Sequence, residues 1–346
     1  MKKNFKKSLY ITAISICLSA VLVFISGCTM QPVQYTYVGT AMGTVISQNI
    51  YTKGNDITKD IMDIITSLEQ DCLSYRIEDS EVGIINAQAG ESHSLPLSKE
   101  LNEDLIICMD VWDNSGGAFD ITVGPITKLW KIDAWAAGEN TDLEIPKFDQ
   151  IESVLAQTGF DRIRLEQGNI LLQQGMSLDL GAVGKGIACD RIAEYLDTQN
   201  VSGAVISVGG SILTYGEKEQ GVPWRVGIVN PMDTSSAIGT VSLSGKWYIS
   251  TSGDYERYME VDGKRYHHII DPHTGYPADS GLSSVTIVCN SGILSDALST
   301  ACFVLGEEEG MKLAEEYGAA VLFVNKDGDI ITNNAMKDIF IQTKEK

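Results

Sequence analysis

The chain has 346 residues, of which 44% are hydrophobic and 21% charged, with a formal charge of −20 at neutral pH. That length holds one large or two ordinary domains with a real core, and the apolar share excludes a disordered chain. So acidic a surface excludes nucleic acid and anionic lipid as partners, which it would repel, and favours a divalent cation.

In chain order, Lys2, Lys3, Lys6 and Lys7 form a basic start, and the run from Ile11 to Gly27 carries no charge and ends Ile25-Ser26-Gly27-Cys28. Small residues directly before a cysteine are similar to the bacterial lipobox. Residues 1–27 therefore read as a signal peptide, with Cys28 lipidated as the new N-terminus. The other reading is an uncleaved transmembrane anchor. Both place the rest outside the cytoplasm on the membrane, whether in a periplasm or at a cell surface. Loss of the four lysines takes the formal charge from −20 to −24. Residues 28–36 read as a polar tether, and 37–346 as one α+β domain without repeat or linker. The cysteines from Cys72 on are scattered among apolar neighbours and read as small buried hydrophobes.

Helical spacing of Ile57, Ile61, Ile64, Ile65, Leu68 and Cys72 predicts a helix over 57–73, with Asp56 as cap candidate. A second helix is predicted over 98–114 with Ser98 as N-cap, a third over 185–198 and a fourth over 295–305. Strands are predicted at Gly203–Val208, Trp224–Val229, Val241–Leu243 and Val285–Cys289. Met259–Val261 and Lys264–Tyr266 flank Asp262-Gly263, a strong hairpin signal, and Val321–Val324 and Ile330–Thr332 form a second hairpin. Helices and strands do not alternate strictly, which favours a mixed α+β arrangement over a doubly wound sheet.

Several segments carry chemistry. Gly39-Thr40-Ala41-Met42-Gly43-Thr44 permits close backbone approach to a ligand, though a tight turn explains it as well. In Gly116-Gly117-Ala118-Phe119-Asp120-Ile121-Thr122, an aromatic beside an acid suits a planar heterocycle whose N–H groups the carboxylate accepts; a loop with a core Phe is the other reading. Asp179-Leu180-Gly181-Ala182-Val183-Gly184-Lys185-Gly186 enters the third helix and suggests phosphate at a helix N-terminus, with neither Walker A nor GxGxxG spacing. Val208-Gly209-Gly210-Ser211 suggests a second anion-holding turn. In Ser295-Asp296-Ala297-Leu298-Ser299-Thr300, Asp296 and Thr300 share a helix face with Ser299 beside them. That oxygen-rich set suits Mg²⁺; a solvated face is the other reading. His267 and His268, adjacent on a strand, point to opposite faces, so they do not share a metal, and one of them points into a cleft as base or phosphate contact.

Read in order, GTAMGT, Leu73-Ser74-Tyr75-Arg76, GGAFDITVGP, DLGAVGKG, SVGGS, Ser250-Thr251-Ser252-Gly253-Asp254-Tyr255, HIIDPHTGYP and SDALSTA resemble the ApbE family of FAD:protein FMN transferases across nearly the whole chain after the leader. The resemblance implies a T-fold-like α+β domain with a deep FAD cleft. By position it implies Met42, Tyr75, Ala118, Phe119, Asp120, Asp179, Lys185 and His268 as FAD contacts. It implies Mg²⁺ on Asp296, Thr300 and the carbonyl of Ala182, with His268 as candidate base. The implied reaction moves FMN from FAD to a threonine of an acceptor protein, releasing AMP. The implied acceptors are Nqr- or Rnf-type redox subunits or exported flavoproteins. Water in place of threonine would give an FAD pyrophosphatase, and a non-catalytic lipid-anchored binding protein is the rival of another class.

Overall fold

A computed structural model describes residues 31–136, 144–218 and 221–343. The expected signal peptide and Cys28 lie outside the described residues. From Gln34 on, the chain forms one unit built around an eight-stranded sheet. Its strands are β1 (Val33–Ala41), β2 (Thr44–Thr52), β3 (Val201–Val208), β4 (Ser211–Gly216), β5 (Trp247–Gly253), β6 (Leu282–Cys289), β7 (Ala320–Asn325) and β8 (Ile330–Thr332). They lie side by side in chain order, and every pairing from β2 to β8 is antiparallel.

Five helices matter for the site: α1 (Thr58–Ser67), α2 (Lys99–Asn114), α3 (Gly184–Asp197), α4 (Gly292–Leu305) and α5 (Glu307–Glu316). Ile61 and Ile65 of α1 and Ile192 and Leu196 of α3 pack on Ile46 and Ile50 of β2 and Ile206 of β3. Leu298 and Cys302 of α4 and Leu105 of α2 pack on Val285 and Ile287 of β6 and Phe323 of β7. The opposite face of β4 to β7 is covered by a three-stranded sheet of Trp224–Asn230, Asp233–Leu243 and Phe340–Gln342, through Val226, Val241 and Leu243. Covered on both sides, β6 is buried at every residue, Ser283, Ser284 and Thr286 included. The small strands Leu95–Pro96, Arg164–Glu166 and Asn169–Leu171 make a separate sheet.

The elements are α+β, as the sequence predicts, and several boundaries differ. The strand β1 begins at Val33, inside the stretch expected to be tether, because its residues extend the hairpin that turns at Met42-Gly43. The predicted 57–73 helix is α-helical only to Ser67. Leu68–Leu73 is one π turn, in which the Ser74 N–H donates to the Glu69 carbonyl five residues back. Ser98 caps α2 as expected, accepting from the Leu101 N–H at 3.2 Å. The fourth helix starts three residues earlier than expected, because Ser291 is its N-cap and the Asp190 carboxylate accepts from the Gly292 and Ile293 N–H groups, both at 2.8 Å. The strand expected at Val241–Leu243 runs from Asp233. The Asp262-Gly263 hairpin forms with both residues at positive φ, 52° and 75°, the turn that its residues favour. Cys72, Cys108, Cys189, Cys289 and Cys302 are free thiols, and all but Cys72 are buried.

Candidate functional site

The helix α4 crosses α3 where Gly186 and Gly292 meet backbone to backbone. A Cβ on either would lie 2.1 Å from the other's carbonyl oxygen. The glycine of the DLGAVGKG segment at 186 therefore serves the packing of the two helices. The close approach brings the Gly186 N–H within 2.7 Å of Asp296 Oδ2. That N–H would otherwise reach back one turn to the Ala182 carbonyl, which the start of α3 at Gly184 leaves without that partner. Asp296 Oδ1 accepts from the Ser211 hydroxyl at 2.5 Å. Beside it, hydroxyls of β5 face those of α4: Ser250 with Ser295 at 2.7 Å, Ser252 with Ser299 at 2.8 Å and with Thr300 at 3.4 Å. Asp296 and Ser299 are buried, which rules out an ordinary solvated face.

Ala182, Asp296, Ser299 and Thr300 open onto one cleft of about 1160 Å³, part of it open to solvent. The donor set is carboxylate, hydroxyl and carbonyl oxygen throughout, and a carboxylate has about four lone-pair positions, of which Asp296 uses two on protein donors. These residues fit a hard divalent cation.

Around that set stand Lys185, Glu256, Arg257 and His268. The His268 Nδ1 lies 3.2 Å from the Arg257 carbonyl, which can only accept, so Nδ1 carries the proton and Nε2 keeps its lone pair. Burial, then the charges of Arg257 and Lys185, pull the His268 pKa down to about 3, so the ring is neutral at physiological pH. His267 faces away, with Nε2 2.9 Å from the Ala278 carbonyl and its ring edge-on to Phe303. One histidine of the pair thus faces the cleft, as expected.

A second group comprises Tyr75, Arg76, Thr127, Asp133 and Asp179. The Tyr75 hydroxyl donates to Asp133 at 2.7 Å, Arg76 is ion-paired to the same carboxylate, and its guanidinium lies 4.5 Å from the Tyr75 ring centroid. Burial pushes the Asp133 carboxyl up, but the bonds from Arg76 and Tyr75 outweigh it and hold the pKa below its usual value. Asp179 accepts from the Thr127 hydroxyl and the Gly181 N–H, both at 2.9 Å, and burial raises its pKa.

Of the residues expected to contact FAD, Tyr75, Ala118, Phe119, Asp120, Asp179, Lys185 and His268 line this cleft. Two expectations change. Met42 does not line it: at a hairpin tip with φ 52°, its N–H is held by Glu69 at 2.8 Å and its side chain packs on the core, while Thr44 reaches the cleft. The Asp120 carboxylate is taken up by the Thr122 N–H and hydroxyl, both at 2.7 Å, and the Phe160 N–H at 3.1 Å, so it organises its loop rather than standing free for a heterocycle. Gly210 lines the cleft at the β3–β4 turn, as the SVGGS segment suggested. Sequence reasoning missed Arg76, Asp133, Glu256 and Arg257; the charges flanking Tyr75 and Tyr255 were the available signal.

Residues 42–323 match the ApbE family. The chain is 34% identical over 309 residues to an FAD:protein FMN transferase of Klebsiella pneumoniae, covering 88% of this chain and 93% of that one. It is 34% identical over 315 residues to an FAD:protein FMN transferase of Treponema pallidum, covering 85% of each. Among solved structures, the apo flavinyl transferase ApbE of Pseudomonas stutzeri superposes with a TM-score of 0.77 at 28% identity, over 90% of this chain and 98% of that one. The flavin transferase ApbE of Vibrio cholerae superposes with a TM-score of 0.76 at 28% identity, over 89% and 99%.

Proposed function

Because this chain belongs to the ApbE family and is a transferase, we propose that it takes FMN from FAD and attaches it, with Mg²⁺, to a threonine of an acceptor protein, releasing AMP. The observation that supports the metal part is that Ala182, Asp296 and Thr300 line the same cleft as Lys185 and Arg257. Mg²⁺ held by those three residues would neutralise the pyrophosphate and ease departure of AMP.

The protein's own groups account for the rest. Lys185 and Arg257, neither paired to a carboxylate among the described residues, supply positive charge for phosphate oxygens in a chain that is otherwise strongly acidic. Tyr75, held by Asp133 and covered by Arg76, presents an aromatic ring to the cleft, suited to a flavin face. Phe119 and Ala118 add apolar wall. His268 offers a neutral Nε2 that accepts a hydrogen bond, either from substrate or from the incoming hydroxyl. The attacking threonine oxygen forms the new bond to the FMN-side phosphorus, the bond from that phosphorus to the AMP oxygen breaks, and the hydroxyl proton leaves to a base.

The enzyme acts on the outer face of a bacterial membrane, anchored by lipid on Cys28; the leader sequence Ile25-Ser26-Gly27-Cys28 supports this. Acceptors are exported or membrane redox proteins, of the Nqr- or Rnf-subunit kind.

The test follows AMP by chromatography after incubation with FAD, with and without Mg²⁺ and acceptor. AMP that needs both supports the transferase. AMP with free FMN in the absence of acceptor would point instead to the pyrophosphatase, and no AMP under any condition would contradict both.

A further inference from the structure

A hydroxyl has one proton to donate and two lone pairs to accept with, so a chain of hydroxyls has a direction. Where β5 faces α4, a carbonyl fixes that direction. The Ser299 hydroxyl donates to the Asp296 carbonyl at 2.9 Å, and a carbonyl only accepts. Its proton spent, Ser299 is the acceptor in its 2.8 Å contact with Ser252, and Ser252 is the donor. Ser252 then has no proton left for Thr300, so in their longer contact, 3.4 Å, the Thr300 hydroxyl donates. Two residues back along β5 the same reasoning ends away from the cleft. Ser295 donates to the Gly292 carbonyl at 2.8 Å, so Ser250 donates to Ser295 at 2.7 Å, and neither serine lines the cleft.

This order of protons separates the three hydroxyls that do line the cleft, Ser252, Ser299 and Thr300. Ser252 and Ser299 each accept one proton and keep one lone pair. Thr300 gives its proton to Ser252 and accepts none from the protein among the described residues, so both its lone pairs are left for a cation. Resting on the transferase reading above and its Mg²⁺, we propose that Ser252 is a positioning residue for the metal: by accepting the Thr300 proton it holds that proton out of the cleft and leaves the oxygen free to bind the ion. The usual alternative acceptor for a helical threonine is the carbonyl one turn back. Here that is the Asp296 carbonyl, which the Ser299 hydroxyl already occupies. Without Ser252 the Thr300 proton is therefore free to turn into the cleft, where it opposes a cation. Groups that hold a metal ligand from behind typically contribute about 10–100-fold to metal affinity.

The experiment measures binding of Mn²⁺, which shares the oxygen-ligand preference of Mg²⁺, by loss of the free-ion electron paramagnetic resonance signal, beside melting temperature. The proteins compared are wild type, Ser252→Ala, Ser250→Ala, Thr300→Val and the double variant S252A/T300V. S252A is expected to weaken Mn²⁺ binding by about 10-fold or more. S250A removes a hydroxyl from the same face of the same strand, and is expected to keep wild-type Mn²⁺ affinity even where it lowers the melting temperature. With Thr300 already valine, S252A is expected to cost no further affinity, because the two residues act as one unit. Wild-type affinity in S252A, an equal loss in S250A, or a further loss in the double variant, which would make Ser252 a ligand in its own right, would each overturn the assignment. None of these measurements needs turnover, so each leaves the transferase reading intact. Wild-type protein that transfers FMN yet binds no Mn²⁺ would remove the metal from that reading and the role of Ser252 with it. Protein that shows the expected Mn²⁺ pattern yet forms neither AMP nor labelled acceptor would sink the transferase reading alone.

Discussion

Asp296 does two jobs, closing the α3–α4 crossing and facing the cleft, and substitutions separate them. Asp296→Asn can still accept from the Gly186 N–H and donate to the Ser211 hydroxyl, so it is expected to fold while losing the charge proposed to hold Mg²⁺. Asp296→Ala leaves both donors without an acceptor and is expected to lose about 1–3 kcal/mol as well. Both should cut Mg²⁺-dependent AMP release by about 100-fold or more, measured beside urea unfolding; a D296N variant with full activity would contradict the assignment. His267 gives a pH prediction. Burial lowers its pKa from 6.5 to about 4, so its contribution to stability is complete above pH 6.5 and is lost as pH falls toward 4, where only the unfolded chain takes up the proton. Replacing it with Gln should therefore cost stability at pH 7 and cost about 2 kcal/mol less at pH 5, because one pKa unit is worth about 1.4 kcal/mol. Comparing the two proteins by urea unfolding at each pH cancels the buried carboxylates, which they share. Cleft-lining residues were legible where chemistry and spacing coincide: Asp296 and Thr300, one helical turn apart, both reach the cleft wall. Met42 and Asp120 misled because a turn dihedral and a local hydrogen-bond network, neither visible in a motif, decide where they point. Glu256 was hidden because a glutamate in a polar stretch reads as surface.

At the level of elements, the site depends on how closely α3 and α4 approach. Gly186→Ala would put a methyl group into the Gly292 carbonyl, 2.1 Å away, and force the helices apart. The expected cost is about 1–3 kcal/mol of stability, together with most of the activity, because Lys185 and Asp296 move apart; a melting curve and AMP release check it. A variant of wild-type stability would show that the crossing has slack. The amphipathic helices were legible because their apolar faces all meet the sheet. The strands β1, β2, β4 and β5 were not: β1 is an exposed edge strand, and β5 carries Ser250 and Ser252, whose hydroxyls are satisfied by α4. The π turn at Leu68–Leu73 carries the spacing of an ordinary helix and only the backbone distinguishes it.

For the whole molecule, the expected signal peptide and Cys28 imply that Cys28→Ala leaves the protein off the membrane and without incorporated fatty acid in cell fractions, with catalytic activity in the soluble fraction. Unchanged membrane association would instead favour an uncleaved anchor. The α+β class followed from the irregular order of strands and helices, while the covering of β6 from both sides could not be read from one chain's pattern, since it depends on which sheet returns over which face. The central claim is transfer of FMN to a threonine, and the most direct measurement is the intact mass of an acceptor domain after incubation with residues 29–346, FAD and Mg²⁺, beside the same acceptor with its target threonine changed to valine. The account predicts addition of one FMN moiety to the threonine form alone, with an equal amount of AMP. An acceptor of unchanged mass, while FAD is cleaved to FMN and AMP, would contradict it.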